Sequence, residues 1–141
     1  MKVFAKTEYA CIAVLELAQT FDTDEPVRIR DIADRHGIPS RFLVQILLQL
    51  KGAGLVASTR GAAGGYQLVR SPDEITLGEV MTVIEGQEPL STATTGNSPI
   101  SRVLMGAWRA VAAQEQAMLQ SITFAELVLR SQADAQQMYY I

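Results

Sequence analysis

Two groups of side chains carry the chemistry open to this chain. The first is Arg41, Val44, Gln45 and Leu48, one stripe of a segment whose opposite stripe is Leu43, Ile46, Leu47 and Leu50. A guanidinium can grip guanine or phosphate, a glutamine amide can pair bidentately with adenine, and a valine can touch a thymine methyl. The same pattern suits any amphipathic helix, but Val44 and Leu48 on the polar side favour a surface that meets something. The second group is Arg60, followed by Gly61, Ala62, Ala63, Gly64 and Gly65. Side chains this small let a loop approach a narrow groove, where concentrated negative potential favours an arginine. A phosphate cradle is the other use of such glycines, but neither GxxxxGKS nor GxxxxGKT is present. The single cysteine, Cys11, lies in the apolar run Tyr9 to Leu15 and reads as a small buried hydrophobe. The single histidine, His36, precedes a glycine and reads as a helix-end or phosphate-facing residue. One cysteine and one histidine exclude an intrachain disulfide framework and a zinc site built only from Cys and His of one chain. No nucleophile–base set or carboxylate pair forms a recognisable site, so the chain is not expected to be an enzyme.

These residues need elements to place them, and apolar spacing supplies a map. Residues 4–20 predict a largely buried first helix, apolar from Tyr9 to Ala18 except for Glu16, and residues 21–26 an acidic turn. Helices follow over 29–36 and 39–52. Between them Gly37 suits a turn with positive φ, and Ile38 plugs the core. Residues 55–59 and 66–69 predict two short strands around the glycine-rich turn. Thr76 with Glu79, and Thr123 with Glu126, have the spacing of reciprocal capping boxes. They open a helix ending near Gly86 and a short one ending near Arg130. Residues 86–100 read as loop, 101–121 as a long helix, and 131–141 show no clear period. Helix, helix, helix, strand pair, helix is the order of a winged helix-turn-helix. The fold class is therefore mainly α with a small β-wing. Residues 1–85 form the winged domain, 86–100 a linker or sensor-type loop without cysteine, and 101–141 a dimerisation helix and tail. Leu104, Trp108, Val111, Glu115, Met118 and Ile122 recur at steps of four and three, a seam for a second copy or for the chain's own core.

Charge placement bears on partners. The net charge is −3, but residues 1–70 balance at +2 and residues 71–141 at −5. From Arg35 to Pro72 there are five basic residues and no acid, enough to put positive potential on one face of an anionic molecule. The longest apolar run is seven residues, Tyr9 to Leu15, against the roughly 20 a spanning helix needs. A cytoplasmic protein without membrane contact is expected, and 48% apolar composition excludes disorder over most of its length.

Four segments, KTEYACIAVLELA at 6–18, IRDIADRHGIPSRFL at 29–43, GLVASTRGAAGGYQL at 54–68 and ITLGEV at 75–80, resemble the IscR/NsrR/CymR-type winged-helix transcription regulators, the Rrf-two family. Trp108 and SITFAELV at 121–128 match its C-terminal pattern. The resemblance implies a dimeric bacterial regulator on a pseudo-palindromic operator. It places Arg60 at the family's minor-groove wing arginine, Gly64, Gly65 and Tyr66 at its wing signature, and residues 39–45, Ser40 and Arg41 included, at the start of its recognition helix. Many members have Glu-Gln where this chain has Val44 and Gln45, so operator sequence does not transfer. Sensor members hold an iron–sulfur cluster on three cysteines between the fourth helix and the long helix. Residues 87–104 contain none; Thr92, Asn97 or Ser98, and Ile100 stand near those places. No cofactor and no cluster are therefore expected. A remaining metal arrangement would use Glu8 and Cys11, one turn apart, because some members borrow an acid from the first helix.

The expectation is a homodimeric repressor of double-stranded DNA. Lys2, Arg28, Arg35 and Lys51 would meet phosphates; Arg41, Val44 and Gln45 would meet bases; and Arg60, flanked by Gly61, would enter a groove. Its signal would be a small molecule or ion between the 86–100 loop and the long helix, or a regulatory protein partner. The competing reading is a winged-helix protein-interaction module whose activity depends on a partner rather than on DNA readout.

Overall fold

Alanines at positions 10, 13 and 18, with Val14 and Leu17, line the inner face of the first helix, α1 (Ala5–Gln19). This shallow face admits neighbours closely, and four of them meet there. In the computed structural model, which describes residues 1–87 and 97–139, α1 packs against α3 (Ser40–Gly52), α4 (Leu77–Glu85), α6 (Phe124–Tyr139) and the second strand of a hairpin. Between α1 and α3 lie a single 3-10 turn, Phe21–Thr23, and the short α2 (Ile29–His36). The core gathers Leu43, Ile46, Leu47 and Leu50 of α3, Ile32 of α2, Leu55, Ile75, Val80 and Phe124, all fully buried. The predicted inner stripe of α3 is the observed one. Gly37 ends α2 with φ 65°, a left-handed conformation that a Cβ would oppose, and Ile38 is buried directly after it.

The hairpin pairs β1 (Val56–Thr59) with β2 (Gly65–Leu68) in antiparallel register, Val56 opposite Leu68 and Thr59 opposite Gly65. A third segment, which carries no strand pattern in sequence, joins β2 on its other side. Val27 donates to the Tyr66 carbonyl at 2.9 Å, and Tyr66 donates to that of Val27 at 2.8 Å. The approach is so close that a Cβ on Gly65 would lie 2.5 Å from the Val27 carbonyl oxygen. On Gly64 it would lie 2.1 Å from that of Thr59.

Three expectations change at the C-terminal end. The last helix does not stop near Arg130 but continues to Tyr139. Residues 124–139 contain no Gly or Pro and carry three Ala, three Gln and two Leu, so intrinsic propensity carries the helix past the point where its apolar period fades. The two capping boxes are half-formed. Thr76 and Thr123 accept from the amides of Glu79 and Glu126 at 3.1 and 3.2 Å, but those glutamates turn to Arg70 and Arg130, each at 2.6 Å. A carboxylate gains more from a guanidinium than from a neutral amide. Finally, Ile122 lies just beyond α5 (Pro99–Ser121) and is half-buried in its own domain, because its carbonyl accepts from Leu77 at 3.0 Å. Together with Phe124 donating to Ile75 at 3.0 Å, this short ladder pins the α5–α6 junction to the start of α4.

Replacing Gly64 with alanine forces a methyl group into the Thr59 carbonyl. We expect Gly64→Ala to destabilise the protein by about 1–3 kcal/mol, read as a lower urea midpoint at unchanged m-value.

Candidate nucleic-acid interface

With Leu43, Ile46, Leu47 and Leu50 turned inward, α3 presents Arg41, Val44, Gln45 and Leu48 to solvent. Val44 is 42% and Leu48 56% exposed, an apolar strip with no reason to face water unless something covers it. The Arg41 guanidinium carbon sits 5.1 Å from the centre of the Phe42 ring, which in turn lies 6.0 Å from Tyr9. This stacking restrains a side chain that would otherwise sample many rotamers. Ser40 is exposed at the first position of the helix.

From the end of α3 the chain enters β1, and Lys51 Nζ donates to Ser58 Oγ at 2.8 Å across that corner. Lys51 is thus an exposed cation that also braces the wing against α3. At the tip Arg60 and Gly61 are exposed, and among the described residues Arg60 has no hydrogen-bond or ion-pair partner. Gly64, Gly65 and Tyr66, expected in the wing signature, have structural duties. Gly64 is buried in the turn, Gly65 permits the Val27 contact, and Tyr66 is half-buried against the core. They shape the finger that carries Arg60.

The phosphate-facing candidates divide. Arg28 is exposed and makes no side-chain hydrogen bond or ion pair among the described residues, and Lys2 is exposed near the Phe4 ring. Arg30, which no motif singles out, is a further exposed cation on α2. Arg35 gives one nitrogen to Glu16 of α1, leaving the rest of its guanidinium in solvent with 58% of the side chain exposed. His36, which ends α2 as expected, likewise meets Glu16, at 2.6 Å. The signal for this pairing was the one acid between Tyr9 and Ala18, an otherwise apolar stretch: a buried carboxylate needs partners.

The two residues of the alternative metal arrangement, Glu8 and Cys11, differ in exposure. Glu8 is exposed, whereas Cys11 is half-buried, and its thiol is pushed up to about 11 by burial and then by the charge of Glu85. Glu85 in turn accepts a hydrogen bond from the buried Thr7 hydroxyl at 2.6 Å. Among the described residues no three His, Cys, Asp or Glu side chains could hold a metal ion. A lone thiol kept protonated is a poor match for a thiolate-ligated cluster. Thr92 lies outside the described residues; Asn97, Ser98 and Ile100 do not supply thiolates.

Along α5, Leu104, Trp108, Val111 and Met118 are exposed, joined by Ile100 and Val103, while Glu115 is half-buried and Leu119 is packed on α4. A cleft of about 390 Å³ opens between the start of α1, α4 and α5, lined among others by Phe4, Met81, Glu85, Glu115 and Leu119. No helix among the described residues is long and apolar enough to cross a membrane.

An exposed helix face leading through a braced corner into a hairpin with a cationic tip defines a DNA-binding protein of the winged helix-turn-helix class. Residues 3–130 match the Rrf2 family, described as iron-dependent transcriptional regulators, and the chain belongs to that family. It is 36% identical over 129 residues to an HTH-type transcriptional regulator of Synechocystis sp., spanning 90% of this chain and 87% of the relative. IscR of Yersinia pestis is 34% identical over 134 residues, 91% of this chain and 79% of its own. Of solved structures, CymR (YrzC), the global cysteine regulator of B. subtilis, superposes with a TM-score of 0.81 at 31% identity, covering 92% of this chain and 98% of that one. IscR of T. potens gives 0.78 at 35% identity, covering 99% and 97%. The fold and the regulatory class inferred from the sequence are those of these proteins.

The thiol offers a check on local burial. A group titrating near 11 should react with a thiol reagent at pH 8 about a hundredfold more slowly than free cysteine. The rate should climb about tenfold per pH unit until that range. Because the folded-state value is the raised one, the thiol's contribution to stability is complete below the unfolded-state range and is lost as pH rises towards 11.

Proposed function

We propose that the chain is a cytoplasmic homodimeric repressor that occupies a pseudo-palindromic operator without a cysteine-ligated cluster. The observation carrying this reading is the uncovered stripe of α3, Arg41, Val44, Gln45 and Leu48, continuous in chain with a hairpin whose tip arginine has no internal partner among the described residues. Arg41 and Gln45 would read base edges in the major groove and Val44 a thymine methyl, with Arg60 and Gly61 entering the adjacent minor groove. Arg28, Arg35, Lys51 and Lys2 would meet phosphates, and Ser40 the backbone near the helix start. Residues 1–85 do the reading, and 101–141 pair two copies through Leu104, Trp108, Val111 and Met118. An apolar strip of this extent in water favours a partner surface, and a two-fold pair would set two reading heads at fixed spacing.

The cleft between α1, α4 and α5 suits a small-molecule effector, since a ligand there touches both the domain that reads and the helix that pairs. An effector raises the melting temperature of the isolated protein; a regulatory protein partner instead co-purifies from the native cell.

Genomic fragments selected by the purified protein supply the operator. On it, Arg60→Ala should weaken binding by roughly 1–3 kcal/mol, as for one good contact per site, measured by fluorescence anisotropy. Unchanged affinity would remove the wing from the mechanism. The double variant Leu104→Glu/Val111→Glu should sediment as a monomer and bind a single half-site weakly. If it stays dimeric, α5 is not the pairing surface. Failure of the wild-type chain to select any DNA would favour the protein-interaction reading.

A further inference from the structure

Glu16 is the only charged residue buried among the described residues, with 7% of its surface exposed. It sits on α1 and is not itself one of the proposed DNA contacts, yet both carboxylate oxygens are engaged by the helix-turn-helix. Oε2 accepts from Arg35 Nη1 and Oε1 meets His36 Nε2 at 2.6 Å. Both partners lie in the last turn of α2, immediately before Gly37 turns the chain into α3.

The helix that receives this clasp has little else to hold it. α2 is eight residues long, well below the roughly 12–15 at which an isolated helix becomes even marginal. It buries only Ile32 and Ala33, and its first turn has no side-chain cap. Among the described residues, Glu16 is the only side-chain hydrogen-bond or ion-pair partner that any α2 side chain has. Ile32 and Ala33, with the half-buried Ile29, resist lifting of the helix, but apolar contact alone fixes its roll and register only weakly. A carboxylate with both oxygens engaged, at a helix end whose dipole already favours cations, defines a register. The exposed cations Arg28 and Arg30 ride on the other end of the same short rod.

We infer that Glu16 is a positioning residue for DNA binding: through Arg35 and His36 it locks the last turn of α2, and so holds the helix-turn-helix in the geometry the duplex requires. This rests on the DNA-binding reading above, and its failure is separable from a failure of that reading. Glu16 is the buried member of the clasp, whereas Arg35 and His36 reach solvent, so methionine in its place removes the clasp without stranding a buried charge and keeps the fold.

The test uses the full chain and the operator fragment selected by the wild type, with Glu16→Met as principal variant and Glu16→Gln beside it. We expect E16M to unfold within a few degrees of wild type, yet to bind operator about tenfold more weakly at a temperature where both are fully folded. Its salt dependence should keep the wild-type slope, because no phosphate contact has been removed. Adding H36Q to E16M should change affinity by less than twofold, since His36 acts through the residue already lost. Wild-type affinity in folded E16M would overturn the inference and leave Glu16 as a stabilising residue only. A salt slope reduced by about one per subunit would overturn it too, assigning the effect to a direct Arg35–phosphate contact. No operator preference in the wild type would be a failure of the functional reading instead.

Discussion

The packing of α3 onto the alanine-lined face of α1 is the constraint on which the other features depend. Leu43, Ile46, Leu47 and Leu50 are each fully buried. At roughly 1.5–3 kcal/mol for each such side chain, this one contact is comparable to the whole net stability of a small domain, about 5–15 kcal/mol. Rotating α3 to bury its other stripe would place Arg41 and Gln45 in the core and four aliphatic side chains in water. The helix therefore has one rotational setting, and the face left over is the one proposed to read DNA. The small side chains of α1 matter as much as the large ones of α3, because they let the same core admit α4 and Phe124 of α6 on the far side.

Where that packing ends, polar contacts take over the positioning. α2 buries too little to be held by apolar area, and it is clasped by Glu16. The hairpin has only four residues per strand, too few to stand alone. It is steadied by the Val27 bridge on one side and the Lys51–Ser58 bond on the other. Of the elements nearest the proposed duplex, α2 and the hairpin are thus less secured by the core than α3. That division is suited to a regulator, since reading heads held by a few directional contacts can be shifted at low cost while the fold persists.

Much of this was legible in the chain. Four leucine and isoleucine positions at helical spacing gave the inner face of α3, and by subtraction the outer one. Gly37 before Ile38 gave the turn, and the glycines after Arg60 gave the hairpin. What escaped reading were pairings between segments distant in sequence. Val27 has no strand around it, and its bridge exists only because Gly65 brings a bare backbone against it. Glu16 interrupted an apolar run without naming a partner, Arg35 looked like a phosphate contact, and His36 like a helix-end or phosphate-facing residue. Glu79 and Glu126 satisfied the spacing of a capping box yet turned to arginines. The tail past Arg130 lacked an apolar period and is nonetheless helical, because nothing in it breaks a helix.

Local order along the chain determined the winged helix-turn-helix and its outward stripe, since periodicity, turn glycines and cation placement act over a few residues and survive into the fold. Only the tertiary structure decided which charges are spoken for. An arginine pairs with whichever carboxylate the packing delivers, and that choice separates Arg35, tied to Glu16, from Arg60, which stands clear at the tip. It also divided α5, whose Leu119 is claimed by α4 while Trp108 and Val111 are left in water, because an apolar residue's fate depends on which surface reaches it first.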